Sequence, residues 1–457
     1  MERLLSSVYA REPHVKVAVA VTGGGVSAAE VLFRPGSSST MQHFVVPYSR
    51  ASLQSFLGAV SPTSSTLKFC SAETSECMAF AAWKKANDMT RQEAEEHDAQ
   101  AAVLVSSAVQ RFSTSLGIAC TAGLATNWAK KGPHECFLSV CQARFSSKNR
   151  TYLRPQCETY HLQFDKTLGR SRTEEDHIVS RWLVFLLAKA ADVDSETCHA
   201  FHDELTSAQV GNDTVVRVTA CEGHNDDPLD GICCGPSGQL TSVAFLPEES
   251  KVGGTTAPIA AQGFEFRGLV LPGSFNPLHK GHVDLARVTQ QLIESRTGLK
   301  MPVAFELAVS NADKGAIDSS TISSRVAQIT HGSGTSPLGA WSVLITNAPL
   351  FGQKAQLFPG CIFAIGADTA VRLVDKKYYD MDEHKMVLAL DRIARSDCSF
   401  VVAGRFDNKV AKRYISAEEV VEKHVPPVFR HLFVPLPETV FRNDVSSTDI
   451  RRQMATT

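Results

Sequence analysis

The side chains best suited to chemistry lie in residues 268–282, which read GLVLPGSFNPLHKGH. The apolar start of this stretch predicts a buried strand, followed by a tight loop and a helix entered at about His282. His279 and His282 are three positions apart, so at the opening of a helix both imidazoles lie on one side. A helix N-terminus attracts an anion, and two imidazoles beside it suit the charge that develops on a phosphoryl group during transfer.

The loop itself has the residue types that such a site requires. Gly273 and Gly281 lack a Cβ, so the backbone can turn sharply and a phosphate can approach it closely. With the two glycines, the predicted nucleotide contacts in this loop are Ser274, Phe275 and Asn276. The alternative is a pair of ordinary surface or core histidines at a helix start.

A second candidate anion site lies near the C-terminus, in residues 445–452, VSSTDIRR. Ser446, Ser447 and Thr448 are typical of a helix opening. Arg451 follows one turn later, where its guanidinium can hold phosphate oxygens in a bidentate manner. The alternative is an ordinary helix cap with a surface arginine.

These segments resemble motifs of the T/HxGH nucleotidylyltransferase superfamily. GSFNPLHKGH is close to the form found in nicotinamide-nucleotide adenylyltransferases, and VSSTDIR is similar to their I-S-S-T-x-I-R segment, with Val445 in place of Ile. Gly366-Ala367-Asp368 is similar to the family's G-A-D turn, which lies beside the nucleotide ribose. Lys314 falls where relatives carry a phosphate-facing lysine; a loop lysine in water is the alternative.

The resemblance implies transfer of AMP from ATP to NMN or nicotinate mononucleotide, with release of pyrophosphate, as in NAD biosynthesis. His279, His282 and Lys314 would be catalytic, the C-terminal hydroxyls and Arg451 would hold the β,γ end of ATP, and Mg²⁺ would bridge the phosphates. The acceptor ring would stack on an aromatic side chain, and the candidates are Trp341, Phe351, Tyr378 and Tyr379. Two alternatives stay open: transfer to another phosphorylated acceptor, such as phosphopantetheine or a phospho-alcohol, and a non-catalytic nucleotide-binding sensor or scaffold.

The pattern from residue 265 onward alternates strands with helices, which predicts an α/β fold with a doubly wound parallel sheet, Rossmann-like. The predicted strands after the first are 303–309, 341–346, 361–365, 399–403 and 431–434, and the predicted helices include 283–296, 320–329 and 384–394. Residues 347–358 are predicted to be a loop.

Residues 1–200 predict a separate layered α/β domain, with strands at 15–21, 44–47, 101–106, 117–121 and 137–145 and helices at 26–33, 72–86 and 173–191. Residues 22–24, 35–36, 46–49 and 119–123 of this part resemble the CinA C-terminal domain, the NMN amidase family. Ala20 stands where the family has its nucleophilic serine, and Leu53 matches its lysine. The resemblance therefore implies a domain that kept the fold and lost the amidase reaction, because a methyl group cannot attack a carbonyl. The alternative is that a different residue has taken over the reaction.

The amino-acid composition limits the kinds of partner and the cellular compartment that we expect for this protein. The 46 Lys and Arg nearly balance the 48 Asp and Glu, so no binding to nucleic acid or to an anionic membrane is expected. The absence of a long apolar run and the twelve scattered cysteines predict a cytoplasmic protein with reduced thiols. Residues 201–264 are predicted to be a β-containing segment and linker between the domains 1–200 and 265–457. The expected partners are ATP and a phosphorylated small molecule, and a homo-oligomer is left open.

Overall fold

A computed structural model describes residues 1–58, 68–128, 130–146, 148, 150–218, 227–233, 240–247, 258–311, 315–330, 341–407, 413–443 and 450–451. The chain forms two compact units, each of them mixed α/β. The first comprises Met1–His97, Ala108–Arg144 and Arg154–His224. The second comprises Asp98–Ser107, Phe145–Leu153 and Asn225–Thr457.

Up to residue 218 the helices and strands follow one another in this order: α1 (Glu2–Tyr9), β1 (Lys16–Thr22), α2 (Ala28–Leu32), β2 (Met41–Val45), α3 (Arg50–Leu57), α4 (Ala72–His97), α5 (Ala99–Ala102), α6 (Val105–Thr114), β3 (Ser115–Gly123), β4 (His134–Phe145), β5 (Tyr152–Phe164), α7 (Arg172–Ala190), α8 (Ser195–Ser207) and β6 (Thr214–Val218). The sheet of the first unit has the order β2-β1-β3-β4-β5-β6, in which β2, β1 and β3 are parallel. The predicted strand at 101–106 is wrong, since these residues end α5 and begin α6.

Helices cover both faces of this first sheet. Val17 and Val19 of β1 share a core with the apolar side of α7, while Ala18 between them packs with Ala82 of α4. Successive side chains of a strand point to opposite faces, so α7 and α4 lie on different sides of the sheet. The approach of α4 is close: a Cβ at Gly117 of β3 would lie 2.0 Å from a backbone oxygen of that helix. The layered α/β architecture predicted for this part is confirmed.

From residue 227 onward the elements are α9 (Asp230–Cys233), β7 (Ser242–Leu246), β8 (Ile259–Gln262), β9 (Leu269–Pro272), α10 (Lys280–Thr297), β10 (Val303–Ala308), β11 (Ser310–Asn311), β12 (Gly315–Ala316), α11 (Ser319–Thr330), β13 (Ser342–Thr346), α12 (Phe351–Leu357), β14 (Ile362–Gly366), α13 (Ala367–Leu373), α14 (Glu383–Arg395), β15 (Ser399–Ala403), β16 (Arg405–Asp407), β17 (Arg413–Ile415), α15 (Ala417–His424) and β18 (Phe433–Leu436). Residues 347–358, predicted as a loop, contain α12, so that prediction is wrong.

The second unit has a doubly wound sheet. Six parallel strands lie in the order β13-β10-β9-β14-β15-β18, which in chain order is 3-2-1-4-5-6. Helices α10 and α11 pack on the face that carries Leu269 and Leu271, whereas the Phe351 ring of α12 packs on Phe363 of β14. The direction of winding reverses between β9 and β14, and sheets of this type bind ligands beyond the carboxyl ends of the strands at that point.

Two antiparallel strands extend this sheet beyond its six parallel ones. β7 pairs with β13, and β8 pairs with β7. Both strands belong to the second unit.

Within the described segments, no helix is long and apolar enough to cross a membrane. Every cysteine whose side chain the structure describes is a free thiol.

Candidate active site

The loop that carries the histidines leaves the sheet at the winding reversal. β9 ends at Pro272, and the Gly273 N–H donates to the main-chain oxygen of Glu306 on the neighbouring strand β10, at 3.0 Å. α10 begins at Lys280 with His279 as its N-cap residue. The predicted strand, loop and helix are confirmed, with the helix beginning two residues before His282. The histidines therefore lie at the carboxyl end of β9.

The two imidazoles are stacked on each other. Their ring centroids are 3.8 Å apart and the ring planes meet at 30°. The His279 N–H donates to Nδ1 of His282 at 3.3 Å. Because Nδ1 accepts this hydrogen bond, the neutral His282 ring carries its proton on Nε2. Among the described residues none accepts a hydrogen bond from this Nε2–H, so it can donate to a ligand.

Burial keeps both rings neutral. Desolvation lowers the pKa of His279, and it lowers the pKa of His282 to about 3, with a smaller contribution from the charge on His279. At neutral pH the pair therefore presents hydrogen-bond donors without a fixed charge. An anion brought against the rings would favour their protonated form, so the site can gain positive charge when a phosphate binds.

Phe275 packs against the histidine pair through the His282 ring. Its side chain is only 2% exposed, and its ring meets both His282 and Phe305 edge to face, with centroids 5.1 Å apart in each case. Its backbone adopts a left-handed conformation with φ of 42°. A Cβ at Gly273 would lie 2.7 Å from the Phe275 ring, so glycine is required there. The buried Phe275 side chain therefore positions His282. A nucleotide could contact this part of the loop only through the backbone.

Gly281 lies against a distant segment of the chain. A Cβ at this position would lie 1.7 Å from Nδ2 of Asn443 and 3.1 Å from the His279 ring. The segment after β18 thus packs directly against the turn between the histidines. Asn443 was not identified from the sequence as part of the site, because its neighbouring residues give no sign of a contact with a loop about 160 residues earlier.

Arg451 brings the C-terminal motif to the same loop. Its Nη1 donates a hydrogen bond to the main-chain oxygen of Asn276. Ser446, Ser447, Thr448 and Lys314 lie outside the described residues, so their predicted roles stay predictions. The guanidinium and the imidazole pair flank one loop, as convergence on one triphosphate would require.

The predicted ribose-binding turn follows β14, the strand beside β9. Gly366 ends this strand and is the N-cap residue of α13. The carboxylate of Asp368, half exposed, forms an ion pair of 2.5 Å with Arg405. Arg405 was not predicted, and its contact holds the Asp368 side chain at the carboxyl edge of the sheet.

A cavity of about 250 Å³ lies in the second unit beside the start of the histidine loop. It is lined by Pro272, Gly273, Ser274, Glu306, Ala308, Ser310, Ile317, Pro349, Leu350, Phe351, Lys354, Thr369, Arg372, Leu373, Tyr378 and Tyr379. Three of the four aromatic candidates for stacking are therefore present. The fourth, Trp341, packs against Phe305 in the core instead.

Glu306 and Lys354, which line this cavity, were missed in the sequence. Glu306 interrupts the apolar strand VAFELA, and a charged residue in a buried strand is a signal that could have found it. Lys354 lies in the stretch taken for a loop, so only the structure reveals that it is buried against Glu306.

In the part of the chain that the structure describes, no group of three or more His, Cys, Asp and Glu side chains could hold a metal ion. Mg²⁺ commonly keeps several waters and binds through substrate phosphates with few protein ligands.

In the first unit, two features bear on the predicted loss of the amidase reaction: the residues at the positions of the amidase serine and lysine, and the turn after β1. The side chains of Ala20 and Leu53 have no polar group, and both are fully buried. The N–H groups of Gly25 and Ser27 donate to the carboxylate of Asp176 at 2.6 and 3.0 Å. The turn after β1 therefore holds a carboxylate of this chain with the groups that could otherwise bind a ligand anion.

A family model matches the part of the chain that contains this site. Residues 270–453 match the family model described as cytidylyltransferase-like. This match lies within the second unit and supports nucleotidyl transfer in general. No curated protein matches the chain with significance.

Two solved structures of the CinA superfamily show a distant likeness to the N-terminal part. One is a CinA superfamily protein from Klebsiella pneumoniae, 14% identical with a TM-score of 0.28, where the match covers 42% of this chain and 94% of that one. The other is the competence/damage inducible protein CihA from Agrobacterium tumefaciens, 17% identical with a TM-score of 0.27, covering 44% and 94%. Scores this low assign no activity to the first unit.

Proposed function

We propose that the second unit transfers the adenylyl group of ATP to a pyridine mononucleotide, NMN or nicotinate mononucleotide, and releases pyrophosphate. The observation that carries this proposal is the stacked pair of His279 and His282 at the winding reversal, with Arg451 bound to the same loop. The match of residues 270–453 to a cytidylyltransferase-like family supports the reaction class. The pyridine acceptor rests on the resemblance of GSFNPLHKGH to nicotinamide-nucleotide adenylyltransferases.

The transfer would be direct. An oxygen of the acceptor's 5′-phosphate attacks the α-phosphorus of ATP, the bond from that phosphorus to the bridging oxygen breaks, and pyrophosphate leaves with the electron pair. The Nε2–H of His282 and the His279 ring donate to the α-phosphate, where negative charge grows in the transition state. The protein's contribution is alignment and charge stabilisation, which dominate catalysis of phosphoryl transfer.

The rest of the triphosphate would be held from the C-terminal side. Arg451 binds the β- and γ-phosphates, with Ser446, Ser447, Thr448 and Lys314 proposed as further contacts. Gly366 and Asp368 would contact the ribose of ATP. Mg²⁺ bound to the phosphates would neutralise part of their charge, coordinated largely by phosphate oxygens and water.

The cavity beside Ser274 is the proposed acceptor site. Its volume of about 250 Å³ and its aromatic lining of Phe351, Tyr378 and Tyr379 suit a planar ring. Ser274 borders the cavity and belongs to the loop that ends at His279, and we propose that the phosphate of a bound mononucleotide points along this loop toward the imidazoles.

Pyrophosphate release tests the proposal. The full chain is incubated with ATP or CTP and with NMN, nicotinate mononucleotide or phosphopantetheine, in the presence of Mg²⁺. The expected result is release with ATP and a pyridine mononucleotide. Release only with phosphopantetheine or only with CTP would replace the proposed substrates, and no release with any pair would favour nucleotide binding without transfer.

A further inference from the structure

A buried ion pair forms part of the wall of the proposed acceptor cavity. Nζ of Lys354 donates to Oε1 of Glu306 at 2.6 Å, and the two side chains are 5% and 1% exposed. Oγ1 of Thr346 donates to the same carboxylate oxygen at 2.6 Å. The pair joins β10 to α12, and both residues border the cavity.

A contribution to the stability of the fold does not by itself explain why a buried ion pair is present here. Removing two charges from water costs free energy that their mutual attraction often fails to return, and well-packed apolar residues commonly replace such pairs without loss. On the face of β10 that carries Glu306, the flanking residues are apolar: Ala304 is fully buried and Ala308 borders the cavity. A charged pair placed at the boundary of such a core and a ligand cavity is better explained by the ligand.

The chemistry of the pair specifies a complementary group. Lys354 has N–H donors beyond the one given to Glu306, and Glu306 has acceptor capacity beyond Oε1. Together they offer a donor next to an acceptor with no net charge. A primary carboxamide has the matching arrangement, because its oxygen accepts and its NH₂ donates. A carboxylate has no donor for Glu306 and meets it with like charge.

We propose that Glu306 and Lys354 recognise an uncharged primary carboxamide on the ring of the acceptor, so that the chain selects NMN over nicotinate mononucleotide. This inference rests on the proposed function and deepens it. The aromatic side chains of the cavity hold the ring, which they would do equally for amide and acid. The ion pair makes the distinction between them.

The test measures both acceptors with the full chain, by kcat/KM for pyrophosphate release and by calorimetric binding. Wild type is expected to prefer NMN by about tenfold or more, since a site left with an unmatched buried polar group discriminates strongly. Glu306→Gln removes the repelling charge and leaves the Lys354 ammonium to attract a carboxylate, so the ratio should shift toward nicotinate mononucleotide by at least about tenfold. The double variant Glu306→Gln/Lys354→Met leaves no unpaired charge and should bind both acceptors alike.

A matched control comes from the first unit, where Arg170 and Asp213 form another largely buried ion pair. Asp213→Asn should change stability without changing the ratio of the two acceptors. Thermal unfolding of each variant shows whether it is folded.

The outcomes separate this inference from the proposed function. Pyrophosphate release without a preference for NMN, or a ratio unchanged in folded Glu306→Gln or in the folded double variant, overturns the inference and leaves the transfer reaction standing. Selective binding of NMN with no pyrophosphate release overturns the transfer reaction and supports the inference. Failure of wild type to bind either mononucleotide overturns the inference.

Discussion

Arg451 donates a hydrogen bond to the main-chain oxygen of Asn276, a residue 175 positions earlier in the chain. This contact joins Arg451, near the C-terminus, to the loop between β9 and α10. Arg carries five N–H groups in a planar fork, a geometry that matches phosphate oxygens. The contact therefore ties the guanidinium that we propose for binding the triphosphate to the loop that carries the histidines.

Replacing Arg451 with Lys should weaken ATP use. A lysine keeps the positive charge but loses the planar fork, so a charge-assisted hydrogen bond worth about 1.5–3 kcal/mol is lost. The expected change is an increase of about 10- to 100-fold in the KM for ATP, measured by pyrophosphate release. Arg395→Lys is the control, because Arg395 is an exposed residue paired with Asp391 on α14. An unchanged KM in folded Arg451→Lys would remove Arg451 from the nucleotide site.

Gly281→Ala should disturb the histidine turn by steric crowding. The added Cβ would meet Nδ2 of Asn443 at 1.7 Å, so Asn443 or the loop must shift. Overpacking of this kind costs about 1–3 kcal/mol. Stability and turnover should both fall, and Asn443→Gly in the same chain should restore part of each. Equal losses in the single and double variants would show that the contact with Asn443 is not the cause.

The elements predicted well from sequence are those whose signal is local. The strand, loop and helix around residues 268–282 follow from an apolar run, two glycines and a helix opening, all within fifteen residues. The strand prediction for residues 101–106 was wrong because a short apolar run fits a strand and a helix equally. The loop prediction for residues 347–358 missed α12 because this helix is short and follows Pro349. β5 was missed because polar residues and Pro155 interrupt its pattern.

The parts of the site that sequence could not provide depend on contacts between distant segments. Lys354 pairs with Glu306 across 48 positions, and Asp368 pairs with Arg405, the first residue of β16. Pattern reasoning identified the aromatic candidates by type, but only the packing of Trp341 on Phe305 separates it from the three that reach the cavity.

Acid should destabilise the second unit through His282. Its pKa is about 3 in the folded protein and about 6.5 for an unperturbed histidine. Between these values the unfolded state binds more protons, so the free energy of unfolding falls as pH is lowered through that window. Lowering the pH from 7.5 to 5 should cost about 2 kcal/mol from this residue alone. Urea denaturation at both pH values checks this, and His282→Asn should show a smaller difference; an equal difference would contradict the assignment to His282.

The first unit should not release ammonia from NMN. The side chains at positions 20 and 53 are a buried methyl and a buried isobutyl group, so the serine and lysine of the amidase family have no counterpart there. Ammonia release by the purified chain, followed with a coupled assay, is expected to equal that of a heated sample. Release above that level, lost in a variant of the first unit, would show that another residue has taken over the reaction.

The most direct test of the central claim is the turnover of His282→Ala with ATP and NMN, relative to wild type. Loss of a donor to the transition state should lower kcat by about 10²- to 10⁴-fold while the circular dichroism spectrum stays the same. His431→Ala, a change at an exposed histidine of the same unit, should keep wild-type turnover. A folded His282→Ala variant with near-normal turnover would contradict the account, because the stacked imidazole pair would then have no part in the transfer.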